Sequence, residues 1–204
     1  MFYIENNRHT FLNWKNWYTT VYFFIHMYEK IDILKPFFEE PNREFHIREL
    51  ARILQINQMT SKKYLEQLKK EGFLLETESK YVKNYKANID NEKFREYKRF
   101  FNMQNLIDSG LISLLDREFA YPVIVVFGSF EKGEDSINSD IDLFVLSETK
   151  KELNLEQFEK KLKRKIQLHV FSEKEYEKLK KTNLHLVNNI ANGGVLRGHL
   201  YILK

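Results

Sequence analysis

Cysteine is missing altogether from the 204 residues, and this one absence excludes a disulfide framework, a thiolate zinc site and a cysteine nucleophile. It points to a cytoplasmic setting. Glycine and proline are scarce, 7 and 3 residues, and no Gly/Ser-rich or Pro-rich stretch is available as a flexible linker. Whatever parts the chain has are expected to sit in fixed relation. A long apolar run is lacking too: the aromatic stretch Trp17 to Ile25 is far too short to span a bilayer, and it has neither a basic n-region nor a small-residue cleavage site. It is neither anchor nor signal peptide, and no membrane partner is expected. An excess of one charge is also missing, since 33 Lys and Arg face 29 Asp and Glu for a formal balance of +4, so local clustering must identify partners. What is present is a 43% hydrophobic and 15% aromatic content, enough for one generous domain or two small ones and incompatible with a disordered tail. "MYEKIDILKPFFEEP" reads as a natural start at Met27, which sets residues 1–26 apart as an aromatic N-terminal extension.

Three helices are expected in the first half. Ile31, Leu34, Phe37 and Phe38 have helical spacing until Pro41 and Asn42 break it. "EFHIRELARIL" puts Ile47, Leu50, Ala51 and Leu54 on one face, with Glu49 and Arg52 on the other. Asn57 then caps "QMTSKKYLEQLKKEGF", with Tyr64, Leu65 and Leu68 inward and Gly72 as the stop. Two strand-like runs follow, Phe73 to Thr77 and Tyr81 to Ala87, around a short polar turn carrying Lys80, with Lys83 and Lys86 beyond it.

This order of elements resembles the winged helix-turn-helix family over about residues 31–88. The resemblance implies a third helix in the major groove of double-stranded DNA and a wing on its backbone. The outward side of that helix is expected to offer Thr60, Ser61, Lys62, Lys63, Gln67 and Lys69, with Lys80 and Lys83 on the wing. Lysines neutralise phosphates, while Thr, Ser and Gln meet base edges; lysines on an amphipathic helix are otherwise an ordinary solvated face. Ser61 departs from the apolar residue that many relatives carry after the threonine. A winged-helix domain over 27–90 is the expectation, and transcription regulation is among the roles it implies. Next, Phe94, Tyr97, Phe100, Phe101, Leu111, Leu114 and Leu115 recur at helical intervals, giving one or two joining helices over 91–118, interrupted near "DSG". Their basic side, Lys93, Arg95, Lys98 and Arg99, either extends a DNA-facing surface or is plain solvated helix.

The densest chemistry lies in "YPVIVVFGSFEKGEDSINSDIDLFVLSE". Val123 to Phe127 is a continuous run of strand formers suited to a buried central strand. Gly128 lets the backbone turn sharply and approach a ligand, and Ser129 opens a short helix whose amides and hydroxyl are placed to receive a phosphate, with Lys132 nearby. Ile141 to Leu146 follows as a strand, so Asp140 and Asp142 point one way while Ile141 and Leu143 point to the core. Two converging carboxylates stay ionised at low cost only with a cation between them, and Mg²⁺ or Mn²⁺ prefers oxygen ligands that it shares with phosphates. "DID" alone would be an ordinary polar turn.

Joined to a strand ending in Gly-Ser at this spacing, the pair resembles the signature of the DNA polymerase beta-like nucleotidyltransferase superfamily, in particular its archaeal-type minimal members. The resemblance implies a roughly four-stranded mixed sheet flanked by helices over 119–204, and hence an α+β chain: an N-terminal winged helix-turn-helix, a joining helix and a C-terminal nucleotidyltransferase domain. It implies transfer of NMP from an NTP to an acceptor hydroxyl, with Gly128 and Ser129 holding the triphosphate and Asp140 and Asp142 the metal ions. The family's third acid is expected on the strand "IQLHVFS", which offers Gln167 and His169 instead. His169 serves as a base for the acceptor, as a metal ligand, or simply as a polar residue on the wetter face. Glu134 and Asp135 are loop acids able to supply a carboxylate. The tail has a helix Leu184 to Ala191, a stop at Asn192-Gly193-Gly194 and a short apolar segment, similar to the "NG..L.G" ending of small relatives.

Three functions stay open: a DNA-directed nucleotidyltransferase acting on a protein, RNA or other hydroxyl; a regulator whose nucleotidyltransferase domain has become a nucleotide sensor; and an antitoxin-like component. A homodimer is compatible with each.

Overall fold

The computed structural model describes residues 30–79 and 82–201. The extension over 1–26, the alternative start at Met27 and the turn residue Lys80 lie outside the described residues.

Helix α1 is described over 30–39 and buries Leu34, Phe37 and Phe38. A turn at 41–42 leads to strand β1 (Phe45–His46), helix α2 (Ile47–Ile53) and helix α3 (Gln58–Lys70). The Asn57 side chain accepts the Thr60 amide at 2.8 Å and satisfies a donor that the first turn of α3 leaves orphaned. Strands β2 (Leu74–Ser79) and β3 (Val82–Ala87) form an antiparallel hairpin, and β1 adds to its far edge in the order β1-β3-β2. Tyr85 of β3 is buried, and its hydroxyl donates to Glu66 Oε1 of α3 at 2.7 Å, tying helix to sheet. Ser61 requires a correction. Instead of facing outward it is buried, with Oγ donating to the Ile47 carbonyl at 3.3 Å where α3 crosses the start of α2. A small hydroxyl fits this crossing and has its own acceptor there.

Helix α4 (Glu92–Ser109) belongs to two cores at once. Phe94 is fully buried with Phe38, Phe73 and Leu74, while Leu106 packs with Leu111, Ile124 and Leu143. Gly110 ends it, and α5 (Leu111–Glu118) follows. The expected interruption near "DSG" is therefore a break between two helices.

The second sheet has the order β6-β5-β4-β7, built from β4 (Val123–Phe127), β5 (Ile141–Leu146), β6 (Ile166–Phe171) and β7 (Gly194–Arg197). Strand β4 runs antiparallel to both β5 and β7, and β5 runs parallel to β6. Side chains alternate: Ile124, Val126, Ile141, Leu143 and Val145 join Leu115, Phe130 and Phe158 on one face. Val125, Phe127 and Phe144 join Tyr176 of α8 (Glu173–Thr182) and Ile190 of α9 (Leu184–Ala191) on the other. Two short helices complete the described residues, α6 (Gly128–Lys132) directly after β4 and α7 (Glu156–Leu162) before β6. The apolar segment expected after the glycines is β7, an edge strand on β4. Among the described residues no helix is long and apolar enough to cross a membrane.

Candidate active site

Strand β4 delivers the chain to Gly128, whose φ of +81° is accessible to glycine at little cost and strained for other residues. The turn folds over the start of β5, where Phe127 pairs with Asp142. A Cβ on Gly128 would lie 2.6 Å from Asp142 Oδ2, so the glycine backbone and the carboxylate are packed in direct contact. Ser129 is partly exposed in the first turn of α6, and Lys132 is exposed in the last. The sequence thus brings Gly128, Ser129 and Asp142 to one place, with Lys132 further out.

Asp140 and Asp142 flank Ile141, which is buried, and share the opposite side of the chain. Neighbouring β6 supplies the two residues found where another acid was expected. Gln167 Nε2 donates to Asp140 Oδ2 at 2.6 Å, and His169 Nε2 lies 3.7 Å from Asp142 Oδ1. The His169 ring also packs on Phe127, tilted, at a centroid distance of 5.7 Å. These four side chains form a ledge on the α8–α9 face of the sheet, at the starts of β5 and β6.

Burial pushes the Asp142 carboxyl above its ordinary range, and the neighbouring Asp140 adds to this while His169 pulls the other way. The pair is thus a partly desolvated concentration of negative charge with little local compensation. Among the described residues no three His, Asp or Glu side chains are gathered into a complete metal cage. Two carboxylates beside a close-approach turn nevertheless suit a hard divalent ion that takes its other oxygens from phosphate and water, so the residues present fit such an ion.

The loop acids have another role. Asp135 is buried, its Oδ1 2.9 Å from Lys98 Nζ and 2.7 Å from Asn102 Nδ2, with Arg164 Nη2 at 3.5 Å from Oδ2. Burial lowers the pKa of the Lys98 ammonium, and Asp135 partly offsets that effect. Asp135 is fully engaged there, and Glu134 is exposed. Lys98 is likewise no part of an outer basic surface, and Arg99 is paired with Glu131 of α6. The signal in the sequence was spacing: Phe94, Lys98, Asn102 and Leu106 lie four apart and share one buried stripe of α4, so a lysine and an asparagine stand at positions where the helix turns inward.

On α3, Lys62, Lys63 and Gln67 are exposed and Thr60 is half-buried. Gln67 donates to Glu71 Oε1 at 2.9 Å, and Lys83 of β3 pairs with Glu76 at 2.6 Å. Lys69 is bound between Glu66 and Glu76. Around the start of α3, Arg48, Arg52 and Lys62 surround Met59, which is 84% exposed. Among the described residues, the cations Arg48, Arg52 and Lys62 thus gather near the start of α3, while Lys69 and Lys83 are balanced by Glu66 and Glu76.

No curated protein matches the chain. Residues 109–196, from the last residue of α4 to β7, match the family model described as Polymerase beta, Nucleotidyltransferase, and over that segment the chain is similar to nucleotidyltransferases of this kind.

Proposed function

We propose that the chain transfers a nucleoside monophosphate from an NTP to an acceptor hydroxyl, and that its first half brings this activity to double-stranded DNA. The observation that carries the first part is the contact between Gly128 and Asp142, which joins a close-approach turn to the paired carboxylates. The matched family supports a nucleotidyltransferase-type function. In this reading Gly128 and Ser129 bind the triphosphate, Lys132 supports it from solvent, and Asp140 and Asp142 hold Mg²⁺ or Mn²⁺. The ion, when bound, supplies charge neutralisation at the reacting phosphate. The acceptor oxygen forms a bond to the α-phosphorus as the bond to the β-phosphate bridge breaks, and pyrophosphate leaves with the bridging oxygen. His169 accepts the hydroxyl proton, and the imidazolium so formed is stabilised by Asp142.

One observation favours a second reading, a nucleotide sensor without turnover. The amide of Gln167 occupies Asp140 Oδ2, where another carboxylate would strengthen metal binding. Incubation of the full chain with Mg²⁺ and α-labelled NTPs, in the presence of cell extract as acceptor source, separates the two. Label appearing on an acceptor and vanishing in Asp140→Asn supports transfer; nucleotide binding with no transfer supports the sensor, and neither result would end both.

For the first half, support comes from the order of α1, α2, α3 and the hairpin and from the cations Arg48, Arg52, Lys62 and Lys63 around α3. In this reading Thr60 and Gln67 meet base edges, whereas Ser61 is withdrawn into the core and Lys83 is partly neutralised.

A further inference from the structure

Between α6 and Asp140 the chain passes through residues 133–139, which connect the proposed phosphate side of the site to its carboxylates. This segment leans on α4. Gly133, at φ +70°, lies so close to α4 that a Cβ would meet the Arg95 carbonyl oxygen at 2.3 Å. Asp135 is held by Lys98 and Asn102, and Asn102 also donates to the Phe130 carbonyl of α6 at 2.8 Å. Lys98 donates a further hydrogen bond to the Asp135 carbonyl, and Arg99 pairs with Glu131. One helix thus grips α6, the loop after it and the approach to Asp140. All four of these α4 residues precede the segment 109–196 that matches the nucleotidyltransferase family.

A buried ion pair is a weak source of stability, because desolvation offsets most of the attraction. Lys98 and Asp135 each have about 1% of the side chain exposed, so apolar packing at the same place would hold the chain together as well. What a charged pair with an added amide contributes is direction: it fixes the carboxylate, and with it the backbone at 135, in one position. Because Phe94 of α4 is locked into the first core, the reference point for that position is the N-terminal half.

We propose that Lys98 and Asn102 are positioning residues of the candidate active site: through Asp135 and Phe130 they set the separation of Gly128 and Ser129 from Asp140, making α4 a working part of that site. This rests on the reading of Gly128, Ser129 and Asp140 as a nucleotide and metal site.

The test uses the full chain with Lys98→Met and Asp135→Asn together, which removes both charges of the pair, while Arg164, 3.5 Å from Asp135, keeps its hydrogen bond to the Glu39 carbonyl. Three quantities are measured: melting temperature, hydrogen exchange at amides 133–140 and affinity for Mn²⁺–ATP. The expected result is near wild-type melting, faster exchange, and binding on the order of tenfold weaker, the scale of one lost charge-assisted hydrogen bond to phosphate. Lys163→Ala breaks the exposed contact to Glu39 between the same two halves, 3.1 Å, and is expected to bind as wild type. If the double variant does not fold, Asn102→Ser carries the same expectation. Wild-type affinity and exchange in the variant would overturn the positioning role. A wild-type chain that binds no Mn²⁺–ATP would instead overturn the reading of the site.

Discussion

Gly128 and Asp142 are in van der Waals contact, with the space for a Cβ on the glycine already taken by Asp142 Oδ2 at 2.6 Å. Gly128→Ala would also be strained at φ +81°. The substitution is expected to cost on the order of 1–3 kcal/mol in stability and to displace the carboxylate. Thermal melting reads the first effect and Mn²⁺–ATP titration the second. A variant unchanged in both would separate the glycine from the site.

The raised pKa of Asp142 gives a pH dependence of definite sign. Unfolded, its carboxyl ionises at about 4, and in the fold it ionises at a higher pH because it is buried. Between those two values the folded state holds more protons, so this group's contribution to stability falls as pH rises, and the deficit is complete above the folded value. Asp142→Asn is therefore expected to melt above wild type at pH 7 without metal, with the difference closing as pH drops below about 4. Adding Mn²⁺ should reverse the order, because only the wild type gains a bound ion.

Gln167 donates to Asp140 at 2.6 Å from the strand where another acid was expected. Gln167→Glu would convert that contact into carboxylate against carboxylate, lowering the metal-free melting temperature. With Mn²⁺ the variant should bind the ion more tightly than wild type, on the order of tenfold as one more charged oxygen joins the pair. Transfer appearing in the variant and absent in the wild type would mark the natural chain as a sensor.

Lys62 and Lys63 project from α3, and replacing both with alanine removes two cations from the proposed DNA face. Gel shifts across a salt series should show weaker binding, with the slope of log affinity against log salt reduced by about 2. Lys83→Ala should change the slope less, because Glu76 already balances that charge at 2.6 Å. A salt slope unaltered by Lys62→Ala with Lys63→Ala would remove α3 from the interface.

The parts legible in the sequence were those governed by local periodicity. Alternation along β4 and β5 placed Ile141 and Leu143 in the core and Asp140 and Asp142 away from it. The side-chain parity of "IQLHV" likewise put Gln167 and His169 on one face. Asn57 marked a helix start by its side-chain acceptor, and the glycine of "DSG" marked a helix end by its backbone freedom. What escaped were contacts between segments distant along the chain. Ser61 lies inside because α3 crosses α2 at that residue, and Lys98 lies inside because Asp135 arrives from beyond α6. The pairing of β7 with β4 was hidden for the same reason: four residues carry no repeat from which a strand can be read.

Strand β4 receives its second neighbour only from β7, which is made long after it on the ribosome. Until Gly194–Arg197 emerge, one edge of β4 displays unpaired amides and carbonyls right beside the Gly128 turn. A nascent chain therefore meets a period in which the carboxylates and the turn exist but the strand behind them is open on one side. The proposed nucleotide site should be completed late in synthesis, with β7 as the closing step, and that interval is when a chaperone or a neighbouring chain has an edge to grasp.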